Sequence, residues 1–172
     1  MSITKLNNLS ISAVTALPSG VGGKVLQVVQ ATSTSNTANA TTTYANTNLS
    51  GSITPSSASN KILVIATQTI NTFNSGGSYS TGLWKIIRTI GATTSDVTDV
   101  NSTDNGNIFA FDYGSSGINV HRPTSLIRLD SPNTTSSITY RTQIAKGTNG
   151  GNQISTNDDH MTGTLIMMEI AG

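Results

Sequence analysis

The sequence predicts an all-β fold: a single antiparallel β-sandwich, jelly-roll-like, with an extended N-terminal arm. Short blocks of Val, Ile and Leu alternate with polar stretches, as strands alternate with loops. Gly, Asn, Asp and Pro stand at the joints, and about eight to ten strand candidates follow one another at the spacing typical of sandwiches. No segment shows a convincing helical pattern.

The composition indicates one folded domain with an uncharged polar surface. The chain has 172 residues, with 28 Thr, 23 Ser and 17 Asn against 17 charged residues. Disorder normally combines low hydrophobicity with high net charge, whereas this chain has a net charge of +1 and 35% apolar residues. We therefore expect the chain to fold.

The same numbers exclude several classes of partner. Lys and Arg are scattered singly, so the basic patch that grips nucleic acid is missing and nucleic acid is not an expected partner. Polar residues interrupt every apolar run near the N-terminus, so neither a signal peptide nor a membrane span is expected. With no cysteine, stability must come from burial and strand pairing.

Residues 1–23 are predicted to form an anchoring arm with a Gly-rich joint, and residues 24–172 are predicted to form the sandwich domain. The arm is rich in Ser and Thr and lacks the charged face of an amphipathic helix, so an extended arm docking on another chain is favoured. The alternative is a first strand tucked into the domain's own sheet. The predicted anchoring residues are Ile3, Leu6, Leu9, Ile11, Val14 and Leu17.

Three strands are predicted with the clearest patterns. Residues 60–66 are apolar on both alternating faces, which is typical of a strand buried centrally between layers. In residues 83–88, a period of two puts Trp84, Ile86 and Arg88 on one face, with Trp84 in the core. Residues 164–170 are predicted to form a terminal core strand, because the flanking glycines leave little room for a helix.

Few residues invite a chemical interpretation. Asp158, Asp159 and His160 could supply metal ligands or a general base, but they lie in a polar turn without a second cluster nearby in sequence. Residues 99–106 resemble a calcium-binding loop but lack the bidentate Glu that closes such a site. His121 is expected to lie between strands. We predict no catalytic residue, no cofactor, no metal ligand and no enzymatic activity.

Several segments together resemble a module of tailed-bacteriophage virion proteins, many of them from marine and cyanobacterial phages. The likeness covers residues 23–172. Its segments are Gly23–Val29, Leu49–Ser57, Asn60–Val64, the Trp-x-Ile-x-Arg pattern of Trp84–Arg88, and the closing Met167–Gly172.

The resemblance implies an outward-displayed, oligomeric β-domain, with a trimer favoured, that is anchored by its N-terminal arm and located at the virion surface after synthesis in the host cytoplasm. The expected function is a capsid decoration, cement or short head-fibre protein that contacts the major capsid protein or a tail adaptor. The alternative is a tail-fibre or receptor-binding subunit that contacts host surface glycans through hydroxyl-rich loops such as 71–80 and 101–106.

Overall fold

The computed structural model describes residues 25–74, 80–98, 108–112, 118–147 and 153–172. The arm predicted over residues 1–23 therefore lies outside the described residues. The described residues form eleven strands and one short 3-10 turn, Asp158–His160. The strands are β1 Val25–Ser33, β2 Thr37–Asn39, β3 Ala45–Ile53, β4 Lys61–Asn74, β5 Ser80–Ile90, β6 Thr93–Asp96, β7 Ile108–Asp112, β8 Ile118–Asp130, β9 Ile138–Lys146, β10 Gln153–Thr156 and β11 Gly163–Ile170.

The strands build two antiparallel sheets that pack face to face, which confirms the predicted β-sandwich. In the six-stranded sheet, β4 pairs along one edge with β8 and along the other with β11 and β10, while β1 and β2 extend the sheet beyond β11 and β10. In the five-stranded sheet, β5 pairs with β9 on one edge and with β6 and β7 on the other. The orders β1-β11-β4-β8 and β3-β9-β5-β7 are those of a jelly roll, with two Greek keys.

The core lies between the sheets and is built from alternate residues of the long strands. Trp84, Ile86 and Tyr140 of the five-stranded sheet are completely buried, as are Ile62 and Leu165 of the six-stranded sheet. The prediction that Trp84 belongs to the core is therefore confirmed. The sheets approach closely at Gly51, where a Cβ atom would lie 2.6 Å from Met167 Cε, so a larger residue there would require the methionine side chain to shift.

One sequence interpretation was wrong in its placement. His121 does not lie between strands, because residues 118–130 form the continuous strand β8. Proline normally interrupts a central strand, and Pro123 lies within this one. Among the described residues β8 is hydrogen-bonded only to β4, and an edge strand tolerates proline because the missing N–H can face away from the neighbouring strand.

Two polar clusters tie the sheets together. The first centres on the carboxylate of Glu169, which is 1% exposed. Gln27 Nε2 donates to it at 2.6 Å, Asn60 Nδ2 at 2.6 Å, and the backbone N–H and hydroxyl of Ser56 at 2.6 and 2.7 Å. Because Ser56 and Asn60 belong to the link from β3 to β4, this cluster fixes the point where the chain crosses between sheets.

The second cluster joins β8 to the five-stranded sheet. Asp130 accepts a hydrogen bond from the Tyr140 hydroxyl at 2.7 Å and forms an ion pair with Arg88 at 2.5 Å. Burial and the neighbouring Asp130 carboxylate both raise the pKa of Tyr140 well above its ordinary value. The cluster gives Arg88 a structural role, because it faces the sandwich interior together with Trp84 and Ile86.

Glu169 makes stability depend on pH in a predictable direction. Burial raises the pKa of Glu169, but the hydrogen bonds from Asn60, Gln27 and Ser56 outweigh it and lower the pKa from 4.5 to about 2. A carboxyl group whose pKa is lowered on folding stabilises the fold above its unfolded pKa, and this contribution disappears as the pH falls through the folded pKa. We expect wild-type stability to decline between about pH 4.5 and about pH 2, and this part of the decline to be absent in Glu169→Gln.

Urea unfolding followed by circular dichroism over this pH range measures the effect. Glu169→Ala should lower the free energy of unfolding at neutral pH by about 2 kcal/mol, because it leaves the buried Asn60 amide without its carboxylate acceptor. Asp159→Asn is the matched control, since Asp159 is exposed. An unchanged pH dependence in Glu169→Gln would contradict the assignment.

Candidate assembly surface

The outer face of the six-stranded sheet carries two neighbouring rows of apolar side chains. Cross-strand pairing aligns Val28, Met168, Leu63 and Leu129 in one row across β1, β11, β4 and β8. The next outward row is formed by Gln30, Ile166, Ile65 and Ile127. These residues alternate with the buried ones along each strand, so they point away from the core.

We call this surface the apolar face. Its members are Val25, Val28, Leu63, Ile65, Ile127, Leu129, Ile166, Met168 and Ile170. Val28 is 57% exposed, and Ile127 and Leu129 are each 55% exposed. The remaining members are partly or largely exposed, and no described residue forms a layer over them.

This exposure corrects the prediction for residues 60–66. The strand is central within its sheet, as predicted, with partners on both edges. Only its inner face is fully buried, whereas Leu63 and Ile65 on its outer face are partly exposed. The apolar pattern therefore correctly marked two hydrophobic faces, and the described domain covers one of them.

A row of hydroxyl groups borders the apolar face. Thr32, Thr164, Thr67 and Ser125 align across the same four strands, and the hydroxyl groups of Thr67 and Ser125 lie 3.1 Å apart. The only described charged side chain on the outward rows is Lys61, at one end of β4. A partner can therefore cover the apolar rows without burying a charged side chain.

The outer face of the opposite sheet is different in character. A shallow groove of about 330 Å³ is lined by neutral polar side chains together with Ile87 and Arg141. Gln143 donates to Asn46 at 2.8 Å, and the hydroxyl groups of Thr89 and Thr94 lie 3.0 Å apart. Nearby, Lys85 pairs with Asp96 at 3.1 Å and lies over the Tyr44 ring, whereas Arg141 has no ion pair among the described residues.

Of the three residues considered for metal or acid–base chemistry, Asp158 has structural partners. Asp158 accepts hydrogen bonds from Asn36, Asn71 and Ser155, and these bonds fix the 3-10 turn against β4 and β10. Asp159 and His160 are exposed and line a shallow cleft. Within the described ranges, no three His, Cys, Asp or Glu residues are grouped so that they could hold a metal ion.

Several predicted segments cannot be placed. The anchoring residues Ile3 to Leu17, the calcium-like segment 99–106 and most of the two hydroxyl-rich loops lie outside the described residues. In the part of the chain that is described, no helix is long and apolar enough to cross a bilayer. Sequence reasoning missed Arg141 and the apolar ends of β8. The Leu126-Ile-Arg-Leu129 segment was the available signal for β8.

No protein-family model and no curated protein matches the chain. Among solved structures, it is similar to that of the infectious bursal disease virus Gx strain, with 13% identity and a TM-score of 0.39 over 85% of this chain and 37% of that chain. The VP2 subviral particle of the same virus gives 14% identity and a TM-score of 0.36 over 85% and 38%. The chain thus spans little more than a third of the length of these viral chains.

Proposed function

We propose that the chain is a structural protein of a virus particle: an oligomeric capsid decoration, cement or short head-fibre subunit of a tailed bacteriophage, anchored by its N-terminal arm. The observation that carries the proposal is the apolar face, a contact surface of nine side chains on a jelly-roll sandwich. Contiguous apolar patches of this kind mark sites of association. The resemblance of residues 23–172 to phage virion modules gives the particle type.

The distribution of carboxylates supports a non-enzymatic role. Glu169, Asp130 and Asp158 are each engaged by several hydrogen-bond donors, and Asp96 is paired with Lys85. A tuned acid–base pair needs carboxyl groups that face a pocket and can reach a substrate. Among the side chains that are described, Asp159 is the carboxylate without such a partner, and it is exposed.

The arm gives the proposal a direct test. Deleting residues 1–20 is expected to leave a folded oligomer that no longer joins particles, because the apolar residues that dock on the major capsid protein or a tail adaptor are lost. The measurement is a quantitative immunoblot of purified particles, with circular dichroism of the free protein. Full incorporation of the truncated chain would place the anchor elsewhere.

A pair of triple variants separates apolar contact from arm length. Leu6→Ser, Leu9→Ser and Ile11→Ser together should abolish incorporation as the deletion does. The matched control replaces neighbouring polar residues, Asn7→Ala, Ser10→Ala and Ser12→Ala, and should leave incorporation unchanged. Equal loss in both variants would argue against anchoring through the apolar residues.

A receptor-binding or tail-fibre subunit is the second candidate function, favoured by the groove around Arg141. Neutral hydroxyl and amide groups beside one arginine suit a sugar that carries a carboxylate. In that case the chain should bind acidic glycans on a glycan array, and Arg141→Gln should weaken binding at least about tenfold, the effect of about 1.4 kcal/mol. Lys61→Gln on the opposite sheet is the control, and an array without any bound glycan would remove this candidate.

A further inference from the structure

We propose that the apolar face is the surface on which a second copy of this chain packs. The inference rests on the proposed function, which includes an oligomer, and deepens it by assigning one face of one sheet to self-association. It begins from a mismatch within the molecule. The strands β4 and β11 have apolar residues on both faces, yet the described domain covers only their inner faces.

The extent of the apolar face across four adjacent strands favours a macromolecular contact. Four members of the apolar face, on the β1 and β8 strands, are about half exposed: Val25, Val28, Ile127 and Leu129. With the partly exposed residues of β4 and β11 between them, they form one patch that spans four strands. Monomers rarely expose contiguous apolar patches larger than a few hundred Å², and a standard interface takes about 800 Å² from each partner.

The chemistry of the face fits a copy of itself. An isologous contact places the same patch on both partners, so a surface with many charges of one sign would repel its own copy. Lys61 is the one charged side chain described on the outward rows, and it lies at their end. Two copies can therefore place apolar rows against apolar rows, with the hydroxyl row of each copy at the rim.

At its β8 edge, the sheet favours a contact through the apolar face instead of through strand pairing. Beside the apolar face, β8 is an edge strand among the described residues, and an open edge can add a strand from another molecule. Pro123 withholds one backbone donor from β8, and the exposed side chains of His121 and Arg122 flank it. Proline and charged residues on an edge oppose strand addition, whereas the apolar face has no such protection.

The test measures the mass of the full-length chain in solution. Sedimentation velocity over a range of concentrations should show an oligomer for the wild type. The double variant Ile127→Lys with Leu129→Lys should sediment as a monomer, with its association weakened at least about a hundredfold because charges would be buried in the contact. Val28→Lys on β1 provides a second disruption from the other side of the face. Unchanged circular dichroism shows which variants remain folded.

Two matched variants decide between occupants. Ser52→Lys with Thr94→Lys adds the same charge at exposed positions of the five-stranded sheet and should keep the oligomer. Leu6→Lys with Leu9→Lys alters the arm and should also keep it. The inference is overturned if folded face variants remain oligomeric, or if the arm variant dissociates the copies. A wild-type monomer that floats with phosphatidylcholine vesicles would likewise overturn it.

This measurement is independent of the particle. A chain that self-associates through the apolar face but is absent from virions would disprove the proposed function and leave the inference intact. If the chain is found in virions but stays oligomeric when the apolar face carries lysines, the inference is overturned and the proposed function stands.

Discussion

The buried carboxylate of Glu169 is the constraint on which the arrangement of the sandwich depends. A buried charge needs hydrogen-bond donors around it, and here four neutral groups from two segments provide them. One segment is β1, which contributes Gln27, and the other is the β3–β4 link, which contributes Ser56 and Asn60. Because the donors must converge, the first and last strands and the crossover between the sheets are fixed together. The C-terminal Gly172 joins the same cluster by donating to Asn60 at 3.1 Å.

This geometry brings together four of the segments that carry the resemblance. Gln27, Ser56, Asn60 and Glu169 each belong to a different one of the resembling segments, and all four meet at one carboxylate. Gly51, in the same set, permits the close approach of the sheets, and Arg88 pairs with Asp130. The resembling residues thus hold the fold together. A likeness of this kind transfers an architecture, and function has to be argued from the surfaces that the architecture presents.

The sequence predicted the architecture better than the surfaces. Local apolar patterns identified β4, β5 and β11, because burial of the residues along a strand depends on local spacing. The same logic failed for β8, where Pro123 reads as a break unless the strand is known to lie at an edge. The clusters around Glu169 and Asp130 join residues more than a hundred positions apart or on different sheets, so spacing could not reveal them. Arg141 was missed for the same reason, since its groove forms only when β3, β5, β6 and β9 align.

The apolar face shows what a strand pattern can and cannot state. Residues 61–66 are apolar on both faces, which predicts that both faces are shielded from water. The sequence does not show whether the same chain or another molecule provides that shielding. The described domain supplies a cover on one side only, and its surface otherwise relies on Ser, Thr and Asn instead of charge. A surface of uncharged hydroxyl groups repels another molecule only weakly. The specificity of association must therefore come from the positions of the apolar side chains. Confining them to four adjacent strands, with Pro123 on the edge strand β8, directs contact to one face of the sandwich.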